Sequence, residues 1–204
     1  MTLLDALSKL SRLSFGVFQT SDAAACLRIS PSTASKILSR LNSAKMLIHL
    51  ARARWAFPTL ADKLIIPEHL TAPWPSYISL QTALHHHGLI NQIPSVTYAV
   101  SLNRTRVYKT EMGVFSIHQL KPDFFFGYET IGISGIKLAT PEKALLDILY
   151  LSPARSLLFK TLPEVEISRR FRISFAREMI EKITSKQRRS LVKNRFEGLI
   201  TPSN

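Results

Sequence analysis

Along residues 32–46 the apolar positions Ala34, Ile37, Leu38 and Leu41 fall at i, i+3, i+4 and i+7. That spacing predicts an amphipathic helix with one buried stripe. Ser30-Pro31 marks its start, because proline lacks an amide donor and suits a turn or a first helical turn. The opposite face carries Ser32, Thr33, Ser35, Lys36, Ser39 and Arg40, all small or basic and none acidic. Upstream, Ser21 followed by DAAACLRI reads as an N-cap and a short helix, with Asp22 complementing its positive end. Leu3 to Leu13 has apolar residues at 3, 4, 7 and 10 and predicts a helix packed across the other two. Two short apolar runs, residues 47–50 and 55–57, flank Ala51-Arg52-Ala53-Arg54 and read as a hairpin with a basic tip. Phe18-Gln19-Thr20 is placed to add a third strand.

Beyond residue 67 the pattern changes. Prolines at 67, 73 and 75 make residues 68–75 the expected linker, an extended stretch. A short helix is expected over residues 77–87, stopped by Gly88. Strands follow at 96–102, around Gly113, and as a pair between Phe125 and Leu138. Thr140-Pro141-Glu142 opens a further helix, with threonine as cap and proline in the first turn. A second short helical stretch and one long basic helix over 174–195 close the chain. The expected fold class is therefore α+β: a winged helix-turn-helix over 1–67, a linker over 68–75, and a mixed α/β domain over 76–204 ending in a basic helix.

Charge sharpens this picture. The 204 residues carry a formal net charge of +13. Residues 1–66 hold 9 Lys/Arg against 3 acids, residues 67–154 hold 6 against 6, and residues 155–204 hold 12 against 5. A chain basic at both ends suits a polyanionic partner: nucleic acid, an anionic membrane surface or an acidic protein. The acid-free helix face and the arginines at 52 and 54 favour double-stranded DNA, with phosphates met by Lys and Arg and base edges by hydroxyls. The candidate DNA-binding residues are Ser32, Thr33, Ser35, Lys36, Ser39, Arg40, Arg52 and Arg54. The same pattern also fits a protein-contact module whose basic face is merely solvated. No apolar run approaches the roughly 18 residues a membrane helix needs. The opening residues do not resemble a secretory signal, and the single cysteine, Cys26, fits a reducing cytoplasm.

Two groups invite a chemical reading. Consecutive histidines at 85, 86 and 87 point about 100° apart on a helix and do not converge on one ion, so no metal site is expected. Glu142, Lys143 and Asp147 resemble an acid/base cluster, but helix-start preferences and an i, i+4 pairing of Lys143 with Asp147 explain them more simply. No phosphate-binding GxxxxGK loop and no GxSxG elbow occurs. Binding without a cofactor is the expectation; a nucleic-acid-processing enzyme is the alternative from another class. The basic tail reads as an amphipathic helix with Phe175, Met179, Ile180 and Ile183 inward, or as extra phosphate contact or a dock for an acidic partner, with a membrane-surface helix as the third reading.

Tyr77-Ile78-Ser79-Leu80, Ala83-Leu84, His87-Gly88-Leu89, Ile93-Pro94 and Tyr98-Ala99-Val100, followed by Ala139-Thr140-Pro141-Glu142-Lys143-Ala144-Leu145-Leu146-Asp147, resemble the AbiEi family. Its members are antitoxins of type IV toxin–antitoxin systems and related regulators of phage defence. The resemblance runs from the N-terminal segment to at least Tyr150 and weakens in the basic tail. It implies a winged helix that represses its own promoter at inverted repeats, and a C-terminal domain that counteracts a nucleotidyltransferase toxin. Inverted repeats imply two copies paired on DNA, with half-sites about 34 Å apart. Some relatives are orphan regulators without a toxin.

Overall fold

The structure is a computed structural model that describes residues 2–13, 16–152, 164–167 and 171–201. It is mixed α+β, with two separate sheets. The first part runs α1 (Leu3–Leu10), β1 (Val17–Gln19), α2 (Thr20–Leu27), α3 (Pro31–Ser43), β2 (Ile48–Ala51) and β3 (Arg54–Ala56). Its three strands are antiparallel in the order β1-β3-β2, with Gln19 opposite Arg54 and His49 opposite Trp55. Leu10, Leu38, Leu41 and Leu47 are fully buried in one cluster between the helices and this sheet. Each such leucine contributes roughly 1.5–3 kcal/mol by leaving water. At Gly16 the chain passes so close to the 60–61 backbone that a Cβ would lie 2.6 Å from the Ala61 Cα.

Two boundaries differ from the sequence pattern. Helix α2 starts at Thr20 rather than after Ser21, because the Asp22 carboxylate accepts the Gln19 N–H at 2.8 Å and moves the cap back two positions. Helix α3 stops at Ser43, short of Met46. Lys45 takes a left-handed conformation (φ 60°), and the N–H groups of Lys45 and Met46 donate to the carbonyls of Asn42 and Leu41, both at 2.9 Å. These two bonds close the helix end and release the chain into β2.

The second part is built on a six-stranded mixed sheet in the order β6-β7-β5-β4-β9-β8. Its strands are β4 (Ser76–Ile78), β5 (Thr97–Ser101), β6 (Arg106–Thr110), β7 (Gly113–Gln119), β8 (Tyr128–Ile131) and β9 (Ile136–Ala139). Two pairs are parallel, β4 with β9 and β5 with β7. Helices α5 (Leu80–His86) and α6 (Pro141–Leu151) pack on the sheet, and α7 (Ile173–Glu181) and α8 (Lys186–Ile200) pack on α6.

Three expectations are corrected here. Tyr77 and Ile78 form a central strand and not the start of a helix; both are 1% exposed between β5 and β9. The segment expected as an extended linker begins as α4 (Ile66–Thr71), whose Ile66 and Leu70 are buried between the two sheets with Val17, Leu50, Met112 and Phe115. The basic tail is two helices, because Ile183 turns into the core and Ser185 caps α8 by accepting the Arg188 N–H. The short helical stretch expected before the tail lies largely outside the described residues.

Candidate nucleic-acid interface

Helix α3 presents its polar face because its other face is spent on the core. Ser30 caps it, its hydroxyl accepting the Thr33 N–H at 3.2 Å, and Pro31 occupies the first turn. Ala34, Leu38 and Leu41 are fully buried. Ser32, Thr33, Ser35, Lys36, Ser39 and Arg40 are consequently all exposed. No acidic residue stands in the first turn, so the positive end of the helix dipole is left uncompensated. The Ser30 hydroxyl lies 2.9 Å from that of Ser32 and 2.8 Å from that of Thr33, which gathers three hydroxyls at this end.

Facing α3 across a groove of about 850 Å³ stands the β2–β3 hairpin. Ser35, Ser39 and Asn42 line one wall, and His49 and Arg52 line the other. The groove has no acidic lining residue. His49 lies against Trp55 with ring centroids 4.6 Å apart, and the Trp55 indole donates to the Thr20 hydroxyl at 2.9 Å. The turn itself is fastened, since the Thr20 N–H donates to the Ala53 carbonyl at 3.0 Å.

Of the eight candidate residues, the fold brings Ser35, Ser39 and Arg52 together in this groove, while Lys36 and Arg40 lie on the exposed face outside it. Arg54 is elsewhere. It is half-buried on β3, beside α4; there burial lowers the pKa of His69, and the Arg54 charge lowers it further. His49, Asn42, Thr20 and Ser21 join the groove although the sequence reading passed over them. For His49 the signal was present: a polar residue between Ile48 and Leu50 in a strand must face away from both.

The second part holds a different polar cluster. Lys143 and Asp147 are fully buried and bonded to each other. Asp147 also accepts from Ser79 at 2.7 Å and from the Tyr77 hydroxyl at 3.0 Å. The Lys143 ammonium sits 3.6 Å from the centre of the Phe124 ring. Gly127 has φ 77° and lies directly under the Lys143 stem, where an added Cβ would come within 3.1 Å. Burial pushes the Lys143 amine down and the Asp147 carboxyl up, and their mutual contact opposes both shifts. The expected i, i+4 pair is therefore present, but it ties α6 to β4 inside the core, and neither group reaches a solvent-borne substrate. Glu142 is 1% exposed, with one carboxylate oxygen accepting the Arg172 N–H at 2.9 Å.

The three histidines diverge. His87 bonds the Ala139 carbonyl through Nε2 at 2.7 Å, His85 is half-buried, and His86 is exposed. Among the described residues no group of His, Cys, Asp and Glu is arranged to hold a metal ion. Cys26 is half-buried, its thiol 3.4 Å from the Lys9 carbonyl.

In the tail, Met179, Ile180 and Ile183 are core residues and Phe175 packs against them. Much of its basic charge is engaged within the chain. Arg177 forms a two-pronged bond with Glu197, Arg188 donates to the Tyr150 carbonyl, and Arg189 and Lys193 pair with Glu181. Arg155, Lys160, Arg169 and Arg170 lie outside the described residues. No described helix is long and apolar enough to cross a membrane. No family model matches the chain, and no curated protein matches it.

Proposed function

We propose that the chain is a DNA-binding transcriptional regulator and that residues 1–67 act as a winged helix-turn-helix. In this reading α2 and α3 are the helix-turn-helix, α3 enters the major groove and the β2–β3 hairpin is the wing. The observation that carries it is the outward face of α3, where six exposed side chains are hydroxyls or cations beside a groove without acids. Such a face offers cations and short hydroxyls, the groups with which phosphates and base edges are met. In this reading the chain acts by binding, and the buried Lys143–Asp147 pair serves the core. The same reading places the chain in the cytoplasm with its DNA target.

The narrower form of the reading is an autorepressing antitoxin of the AbiEi type, two copies pairing on promoter inverted repeats and the C-terminal part counteracting a nucleotidyltransferase toxin. What supports it is the resemblance over residues 77–147; an orphan regulator without a toxin shares the same residues. The test is a binding titration on the chain's own upstream DNA against a scrambled duplex of equal length. Wild type is expected to prefer the upstream fragment, and the double variant Lys36→Ala/Arg40→Ala to lose at least about ten-fold in affinity, the loss of two charged contacts. Unchanged affinity of the double variant removes α3 as the contacting helix.

A further inference from the structure

The hairpin is unusually short relative to the sheet that carries it. Arg54, the first residue of β3, already pairs with Gln19, the last residue of β1. Only Arg52 and Ala53 therefore extend past the end of the three-stranded sheet. Entering a DNA minor groove about 7.5 Å deep takes at least two further residues on each arm, at about 3.3 Å per residue. Here the turn is instead held back against α2 by the bond from the Thr20 N–H to the Ala53 carbonyl at 3.0 Å. Arg52 accordingly lines the groove opposite Ser35 and Ser39. On α3 the pair Ser35 and Ser39 shares one flank of the helix, and Lys36 and Arg40 share another, each pair being one turn apart.

On the reading of α3 as the DNA-contacting helix, we propose that this groove seats one sugar-phosphate strand of the duplex and that the hairpin does not read the minor groove. The groove offers what a phosphodiester needs: the Arg52 guanidinium, the hydroxyls of Ser35 and Ser39, the imidazole of His49 and no opposing carboxylate. The roles on α3 then divide. Ser35 and Ser39 fix position on the backbone, and sequence is read from the crest and the other flank, by Ser32, Lys36 and Arg40.

The test is fluorescence anisotropy on the upstream and scrambled duplexes across a salt series, for wild type, Arg52→Ala, Arg52→Lys and Lys36→Ala. A set of duplexes with inosine in place of guanine completes it, since inosine lacks only the minor-groove amino group. A phosphate contact weakens both duplexes by the same factor and reduces the salt slope by about one, whereas a base contact changes the preference between them. Arg52→Ala is expected to behave in the first way, Arg52→Lys to restore the slope, and Lys36→Ala to lose preference for the upstream DNA. Inosine is expected to leave wild-type affinity within about two-fold. A loss confined to the upstream duplex in Arg52→Ala, or a several-fold change with inosine, overturns the proposal while leaving DNA binding intact. Failure of wild type to bind either duplex removes the regulator reading and the phosphate seat with it.

Discussion

Lys143 and Asp147, one turn apart on α6, form an ion pair that is fully withdrawn from solvent. Two buried charges are tolerated because each completes the other's bonding and because Ser79 and Tyr77 donate to the carboxylate. The arrangement stitches α6 to β4 at the centre of the sheet. Asp147→Ala strands a buried ammonium among aromatic rings and leaves two hydroxyls without an acceptor. It is expected to cost about 3–5 kcal/mol, read from urea unfolding. The double variant Lys143→Met/Asp147→Leu should recover most of that loss, because no unpaired charge remains. A loss as large in the double variant as in Asp147→Ala would show that the pair contributes more than mutual neutralisation.

His118 on β7 predicts a pH dependence. Burial lowers its pKa from 6.5 to about 4, with the Ser116 hydroxyl 3.0 Å from Nε2. The folded state thus favours the neutral ring. Its contribution is complete above pH 6.5, the unfolded value, and is lost as pH falls through the window between 6.5 and about 4. At pH 5 the loss should reach roughly 2 kcal/mol. Denaturant unfolding at pH 7.5 and pH 5 checks this. In His118→Gln the part of the decline due to this ring should disappear, and an identical decline in both proteins would assign it elsewhere.

The left-handed positions predict gains. Ala53 at the hairpin turn has φ 57° and Lys45 after α3 has φ 60°, a region that costs a side-chain-bearing residue roughly 1–2 kcal/mol and glycine almost nothing. Ala53→Gly is expected to raise stability by about 1 kcal/mol. Lys45→Gly should gain less, since it also removes the exposed ion pair with Glu111 at 3.1 Å. Thermal melts decide between them. A fall in melting temperature for Ala53→Gly would mean that the flexibility glycine adds to the unfolded chain outweighs the relief.

What could be read in the sequence was periodicity. The stripe Ala34, Ile37, Leu38, Leu41 specifies both α3 and the face it turns outward, and Thr140-Pro141 gives the start of α6. What could not be read depended on distant partners. Tyr77 and Ile78 sit in a three-residue strand too short to show alternation, and β5 and β9 decide its state. The spacing of Lys143 and Asp147 is the same on an exposed helix as in a core; only the rings of Phe124 and Tyr77 above them distinguish the two. Arg54 and Arg52 look equivalent in sequence, yet Arg52 stands in the turn at the groove, while Arg54 is already the first residue of β3, beside α4. Helix α4 was hidden by its proline, which occupies the first turn, where it costs nothing.

The burial of α4 carries the last prediction. Phe115 on β7 is fully buried in the cluster that joins Val17, Leu50 and Ala56 of the first sheet to Ile66 and Leu70 of α4. The Tyr108 hydroxyl adds a bond to the Leu70 carbonyl at 3.3 Å. Because the two sheets share this apolar contact, they are expected to unfold together. In a Trp74→Phe background, Trp55 fluorescence reports the first sheet, and its midpoint should coincide with that of far-ultraviolet circular dichroism. Phe115→Ala removes the ring at the centre of the contact and should cost about 3–5 kcal/mol. It should also separate the two transitions, with Trp55 responding at the lower denaturant concentration. The separation is the informative part, because a ring packed only within the second part would lower both midpoints together. Coincident transitions in Phe115→Ala would mean that the remaining contacts through Ile66 and Leu70 suffice to couple the sheets.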